Sequence, residues 1–139
     1  MGMTLLNDRL ASDLRKAFDI SLAEYEILVR LSENKGQMRM AHLANAMAHS
    51  RSRVTHTVSR LERAGLVARR HSKSDGRGVV AQLTPGGMDL LVRAAPVHVS
   101  GVREHLVDVA SDEDFAAVGR VMNAVADQLI EDNPDFEMR

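Results

Sequence analysis

The stretch AHLANAMAHSRSRVTHTVSRLERAGLVARR, residues 41–70, decides the fold of this chain. It reads as a short helix, a turn, a longer helix and the start of a strand that enters a basic loop. The loop carries Asp75-Gly76-Arg77, and an apolar run follows it up to Leu83. Two helices at this separation, followed by a basic hairpin, are typical of proteins that place a helix in a groove of DNA.

Within this region the pattern predicts two helices and two strands. A short helix over 40–48 buries Leu43, Ala44 and Met47, and Ser50 caps the helix that follows it. Gly65 ends that helix, and two strands are predicted over 66–70 and 79–83.

The longer helix has one apolar stripe and one polar face. Val54, Val58 and Leu61 recur at helical spacing, which predicts that they face the core. The opposite face is polar and cationic, and it carries no acid that would repel phosphates. Its residues are Ser52, Arg53, His56, Ser59, Arg60 and Arg63. Arg53 suits a base or a phosphate, whereas Arg60 and Arg63 suit phosphate contacts or salt bridges.

Further helices flank this region on both sides. Leucines at helical spacing predict a first helix over about 4–17 with Thr4 as its N-cap, and Ser21 with Glu24 forms a capping box that starts a second. Thr84-Pro85 opens a fifth helix, and Ser111 caps a sixth. The sixth helix has a short heptad seam of Phe115, Val118, Met122, Val125 and Leu129.

The net charge of −1 conceals a strong separation of charge along the chain. Residues 49–78 contain eight cations and two acids, a net charge of +6, whereas residues 104–139 contain ten acids and two cations. A cationic region confined to one part of an otherwise neutral protein is the footprint of a polyanion-binding face.

Composition narrows the class of protein further. A chain of 139 residues is long enough for a single domain with its own core. Aromatic residues make up 3%, which disfavours a stacking platform for single strands. The chain has no cysteine, which excludes thiolate ligands and thiol redox switching and fits the cytoplasm. No apolar run has membrane-spanning length, so we expect no membrane association.

Enzyme and metal chemistry find little support in the sequence. There is no phosphate-cradling glycine loop, nucleophile elbow or metalloprotease histidine pair. His98 and His105 share a helical face but lie about 10 Å apart by helix rise, too far to bind one ion together. His105 with Asp108 makes only a partial metal site. We therefore predict a protein that is not an enzyme and needs neither cofactor nor metal.

The whole pattern resembles the MarR family of winged helix-turn-helix regulators. The match rests on motifs in the family's order: Leu43-Ala44, Ser50 to Val54, Leu61-Glu62-x-x-Gly65-Leu66-Val67-x-Arg69, Asp75-x-Arg77 and Leu83-Thr84-Pro85-x-Gly87. The resemblance implies a mainly α fold with a small β-wing and a short strand between the second and third helices. The winged helix-turn-helix lobe would span 22–84, with dimerisation helices at 4–18 and 85–132 and an acidic tail at 133–139, all in one domain over 1–139.

The same resemblance implies a homodimer that regulates transcription from a palindromic operator, and we expect it to act as a repressor. The fourth helix would enter the major groove of duplex DNA, and Arg77, oriented by Asp75, would reach the adjacent minor groove. The implied DNA-binding set is Ser52, Arg53, Thr55, His56, Arg60, Arg69, Lys73, Asp75 and Arg77. The implied dimerisation set is Leu6, Leu10, Phe115, Val118, Met122, Val125 and Leu129.

Two questions stay open at this stage. The family would lead us to expect a small-molecule effector, and Tyr25 and Phe18 suit either its pocket or the core. A winged helix that binds a protein instead of DNA is the main alternative function, although it would favour an apolar or acidic outward face.

Overall fold

The computed structural model describes residues 1–71 and 78–131. The helices are α1 (Gly2–Phe18), α2 (Leu22–Glu33), α3 (Met40–Ala46), α4 (Arg51–Arg63), α5 (Pro85–Val102) and α6 (Asp112–Glu131). The strands are β1 (Gln37–Arg39), β2 (Val67–His71) and β3 (Val79–Leu83), and a π-helical turn, Arg103–Val107, follows α5. This mainly helical fold with a small wing confirms the predicted fold class.

Most helix boundaries follow the caps that the sequence predicts. The Ser21 hydroxyl accepts from the Glu24 N–H at 3.1 Å, and the Glu24 carboxylate accepts from the Ser21 N–H at 2.7 Å, which completes the capping box. The Thr84 hydroxyl accepts from the Gly87 N–H at 3.0 Å at the start of α5. The Ser111 hydroxyl accepts from the Asp114 N–H at 3.1 Å at the start of α6.

Three boundaries differ from the sequence prediction. The expected cap at Thr4 is wrong, because α1 begins at Gly2 and the Leu5 N–H already bonds to the Met1 carbonyl. Helix α3 ends two residues early, since Ala48 adopts a left-handed conformation with φ of 50°. Strand β2 begins and ends one residue later than predicted.

The three strands form an antiparallel sheet in the order β1-β3-β2. Val67 pairs with Leu83 and His71 with Val79, so β2 and β3 leave the lobe as a hairpin. Strand β1 pairs on the other edge of β3, with Gln37 opposite Gln82. The sheet therefore fixes the base of the wing against α2 and α3.

One apolar core joins α2, α3 and α4. Ile27, Leu28 and Leu31 of α2 pack with Leu43 and with the predicted stripe of α4, and all are fully buried. Leu14 of α1 and Ala94 of α5 join the same cluster, so the outer helices are anchored to the winged lobe. Burying a large aliphatic side chain contributes about 1.5–3 kcal/mol, so this shared core fixes the orientation of α4.

Gly87 marks a close approach between α5 and the wing. A Cβ atom at this position would overlap the Leu66 carbonyl oxygen, and the Leu83 side chain would lie 2.7 Å from it. Only glycine fits this contact without a shift of backbone. The glycine at the end of the Thr-Pro-x-Gly motif therefore lets α5 start directly against β2 and β3.

Helix α6 stands apart from this core. None of the side chains described in α6 is buried within the protomer. Val118, Met122 and Leu129 are each more than half exposed, which is unusual for large apolar side chains on one helix face.

Candidate nucleic-acid interface

The first two turns of α4 present a polar outward face. Ser52, Arg53, Thr55 and His56 are all exposed, and no acidic residue lies in the first turn. Val54 and Val58 are buried on the other side, so the helix cannot rotate without exposing them. The structure thus brings together four of the residues that the sequence assigned to DNA.

The start of α4 is fixed by its cap. The Ser50 hydroxyl accepts from the Arg53 backbone N–H at 3.3 Å, as the sequence predicts. Helix N-termini carry partial positive charge from their unpaired N–H groups, and this charge favours phosphate. The cap, the exposed Arg53 side chain and the helix terminus therefore place positive charge at one end of the outward face.

Arg60 lies on the same helix but faces a carboxylate. Its Nε atom is 3.1 Å from Oε1 of Glu24, whose side chain is only 5% exposed. The other carboxylate oxygen of Glu24 accepts from the Ser21 N–H. Of the two roles that the sequence left open for Arg60, the structure shows the salt bridge, and the partner comes from α2.

Arg69 is also engaged by an acid. Its backbone N–H donates to Oε1 of Glu62 at 3.1 Å, while Nε and Nη2 donate to Oε2 at 2.9 and 2.6 Å. These hydrogen bonds hold the pKa of the Glu62 carboxyl below its usual range. The arrangement joins the last turn of α4 to β2, the first strand of the wing.

Sequence reasoning missed both of these pairings. It identified Glu24 as a capping residue and Glu62 as part of a motif. It placed Arg60 and Arg69 in the DNA-binding set, and it left a salt bridge open for Arg60 without naming the partner. Helical periodicity places residues on a face of their own helix and carries no signal for a partner 36 or 7 positions away. The three wing residues Lys73, Asp75 and Arg77 lie outside the described residues.

The predicted dimerisation residues occupy two kinds of position. Phe115, Val118, Met122, Val125 and Leu129 are all exposed on α6, and together they form an apolar surface that we call the α6 seam. Leu6 is partly buried, whereas Leu10 is 6% exposed and packs near Gly101 of α5 within the same protomer. Leu10 is therefore a packing residue between α1 and α5 in the protomer.

A cavity of about 510 Å³ lies between α1, α2 and α5. Leu10, Val29, Arg30, Tyr25 and His98 are among its lining residues. The Tyr25 and His98 rings meet at a centroid distance of 4.7 Å. Burial raises the pKa of the Tyr25 hydroxyl and lowers the pKa of the His98 imidazole, because each charged form loses water.

The two aromatic residues that the sequence left open between a pocket and the core have different positions in the structure. Tyr25 lines the cavity, whereas Phe18 packs against the main core. The Arg93 guanidinium lies 5.8 Å from the centre of the Phe18 ring. Across the described ranges, no three histidine or acidic side chains gather in a way that would hold a metal ion.

No helix in the described part of the chain is long and apolar enough to cross a membrane.

Comparison with known proteins places this geometry in a family. The family model for MarR matches residues 20–79. The chain is 30% identical to the HTH-type transcriptional regulator PecS of Dickeya dadantii over 124 residues, which cover 86% of this chain and 75% of PecS. A shorter match to YfiV of Bacillus subtilis, an uncharacterized HTH-type transcriptional regulator, is 39% identical over 66 residues and spans 41% of that protein.

Two solved structures from Streptomyces coelicolor are similar over most of the chain. The MarR-family regulator AbsC is 40% identical with a TM-score of 0.88, and the match covers 92% of this chain and 86% of AbsC. Sco3205, a MarR-family regulator solved in complex with DNA, is 38% identical with a TM-score of 0.90, and the match covers 92% of this chain and 81% of Sco3205. These relatives are regulators and not enzymes. The winged helix, the motifs that build it and these matches agree, and the chain belongs to the MarR family of transcriptional regulators.

Proposed function

We propose that this protein is a homodimeric, ligand-responsive repressor that binds a palindromic operator in duplex DNA. The observation that carries the proposal is the exposed polar face of α4, held by a buried apolar stripe and free of acid in its first turn. The similar regulator Sco3205 was solved in complex with DNA, which supports DNA as the molecule that this face binds. Binding to DNA fits the cytoplasmic location that the sequence favours.

Direct contacts come from the start of α4 and from the wing. Ser52, Arg53, Thr55 and His56 supply hydrogen bonds to base edges or phosphates in the major groove. The resemblance to the family assigns Arg77 to the minor groove, with Asp75 orienting it, and Lys73 belongs to the same DNA-binding set. Arg60 and Arg69 act through their ion pairs, which hold α4 against α2 and β2.

The α6 seam supports the proposal of a homodimer. A second copy would cover the exposed apolar side chains at 115, 118, 122, 125 and 129 and remove them from water. Dimerisation through helices outside the winged lobe would hold two recognition helices about one duplex turn apart, the spacing that successive major grooves require. A symmetric dimer matches a palindromic site.

The cavity between α1, α2 and α5 is the site that we propose for an effector. Its volume of about 510 Å³ lies in the range of small-molecule sites. Its wall includes Arg30 and His98, whose buried Nε and Nδ1 atoms have no hydrogen-bond partner. An apolar wall with such donors and acceptors suits a small, partly apolar ligand that carries a polar group. Binding there would shift the population between two arrangements of the lobes.

Selection from a randomised duplex pool, at one stated salt concentration, tests the proposed function. A regulator of this kind should enrich a palindrome whose half-sites lie about one helical turn apart. Enrichment of a single half-site would argue against the dimer, and no enrichment by folded protein would argue against sequence-specific binding.

Salt dependence separates this function from the alternative of a protein-binding winged helix. Duplex affinity should fall steeply with salt, with a log–log slope of about −0.9 for each phosphate neutralised.

Narrowing the cavity by Val29→Phe tests the effector site, because compounds that release the wild-type protein from its duplex should no longer release the variant.

A further inference from the structure

The ion pair between Glu24 and Arg60 has features that a simple surface salt bridge lacks. The Glu24 side chain is 5% exposed, whereas the Arg60 side chain is 43% exposed on the recognition helix. Oε2 of Glu24 accepts from the Ser21 N–H at 2.7 Å, so the carboxylate is anchored to the first turn of α2. The anchored acid cannot follow the guanidinium if Arg60 turns towards another partner.

This geometry bears on how the protein distinguishes its operator from other DNA. Affinity for DNA of any sequence comes from cations that neutralise phosphates and release counterions. A cation already paired with a carboxylate supplies less of this affinity. Removing Arg60 from its pair would leave a buried carboxylate unpaired, which is costly, so the pair resists competition from phosphate.

We propose that Glu24 is a specificity-determining residue that acts through Arg60. It holds the Arg60 guanidinium on the α2 side of α4 and lowers the protein's affinity for DNA of any sequence, while the exposed residues at the start of α4 read the operator. This inference rests on the proposed binding to duplex DNA.

The pair at the other flank of α4 does not have the same property. Glu62 and Arg69 are each about one-third exposed, so water already competes for their charges. One of their hydrogen bonds comes from the Arg69 backbone N–H. This bond fixes the Glu62 carboxylate to strand β2 whatever position the Arg69 side chain takes. Glu24 is therefore the acid whose removal should change binding to DNA of any sequence.

Three variants test the role of Glu24. Glu24→Gln removes the charge but keeps an oxygen that can cap α2. The double variant Glu24→Gln with Arg60→Gln removes both charges and leaves none buried and unpaired. Asp89→Asn removes one acid from an exposed position on α5 and controls for the change in net charge.

For each variant, affinity for the selected operator and for random duplex is measured over a range of salt, together with thermal unfolding. In Glu24→Gln we expect the slope of log affinity against log salt concentration to steepen by about 0.9 for each recognition helix bound. We also expect the ratio of operator affinity to random-duplex affinity to fall several-fold. The double variant should return to the wild-type slope, and Asp89→Asn should keep it.

Two results would overturn the inference. One is an unchanged slope and affinity ratio in folded Glu24→Gln. The other is a double variant whose slope is shallower than wild type by about 0.9 per helix, because Arg60 would then be a phosphate contact in the wild type. Where the single variant unfolds, the double variant still tests whether Arg60 is a phosphate contact in the wild type. Wild-type protein that binds no duplex would instead overturn the proposed function.

Discussion

Glu62 accepts three hydrogen bonds from Arg69, one from the backbone and two from the guanidinium. The pairing spans the turn between the recognition helix and the wing, so it fixes the angle at which β2 leaves α4. Both guanidinium donors, Nε and Nη2, converge on Oε2, while the backbone N–H binds Oε1, so each carboxylate oxygen is engaged and the orientation of the carboxylate is restrained.

This pairing predicts a pH dependence of stability. The ordinary pKa of this carboxyl is 4.5, and its folded value is lower. The stabilisation is therefore present above pH of about 4.5 and is lost as the pH falls through the folded value. Glu62→Gln should lose less of its free energy of unfolding than wild type as the pH falls from about 4.5 through the folded pKa of the Glu62 carboxyl.

Denaturant unfolding at several pH values measures this difference. Glu113→Gln, at an exposed position in the first turn of α6, is the matched control. Identical pH profiles for wild type and Glu62→Gln would contradict the prediction.

His98 predicts a second pH effect, of different origin. Burial lowers its folded pKa below the ordinary 6.5. The unfolded chain therefore takes up the proton first, and stability should decline as the pH falls below about 6.5 towards the folded value. His98→Phe should remove this part of the profile, whereas His42→Gln, at an exposed position on α3, should retain it. A profile unchanged by His98→Phe would show that another group is responsible.

Gly86 and Gly87 offer a matched pair for the contact between α5 and the wing. A Cβ at Gly87 overlaps the Leu66 carbonyl, whereas the nearest atoms to a Cβ at Gly86 lie at 3.8 Å. Gly87→Ala should lower the free energy of unfolding by about 1–3 kcal/mol. Gly86→Ala should be neutral or stabilise by up to about 1 kcal/mol. Equal effects of the two substitutions in denaturant unfolding would contradict the proposed close approach.

The α6 seam predicts the behaviour of a charged double variant. Met122→Glu with Val125→Glu places two carboxylates in the apolar surface, where a partner would have to desolvate them. We expect monomers in sedimentation equilibrium and loss of binding to a palindromic duplex. Ala124→Glu, on the opposite side of α6, should stay dimeric. A stable dimer in the double variant would place the interface elsewhere.

Arg77 carries a prediction that comes from the sequence and the family resemblance. Arg77→Ala should weaken operator binding by about 1–3 kcal/mol without changing thermal unfolding. The loss should be larger when the flanking minor groove is A·T-rich, because the narrow groove concentrates negative potential. Fluorescence anisotropy with A·T and G·C flanks measures both effects, and equal affinity of variant and wild type would refute the role.

Much of the fold was predictable because its signals are local. The caps at Ser21, Ser50 and Thr84 each bond to a backbone N–H three residues ahead, a distance that sequence spacing reports directly. The stripe on α4 follows from helical periodicity. The predicted cap at Thr4 failed because a helix can begin without a side-chain cap, as α1 does at Met1.

The site was less predictable because its decisive contacts join distant elements. Glu24 meets Arg60 only after α2 and α4 have packed, so neither the spacing nor the charge pattern indicates the pair. Leu10 shows the same limit for the predicted dimer surface. The leucine spacing identified an apolar face on α1, but the packing of α5 decided that Leu10 is covered within the protomer.

Tyr25 and Glu24 are neighbours in the chain and lie on one helix, α2, but they contact different parts of the protein. Tyr25 forms part of the cavity wall, while Glu24 holds the recognition helix. A molecule that enters the cavity and displaces α2 therefore acts on the pair that restrains Arg60. Thermodynamic reciprocity then applies: a compound that weakens operator binding by some factor must itself be bound more weakly, by the same factor, when the protein is on its operator.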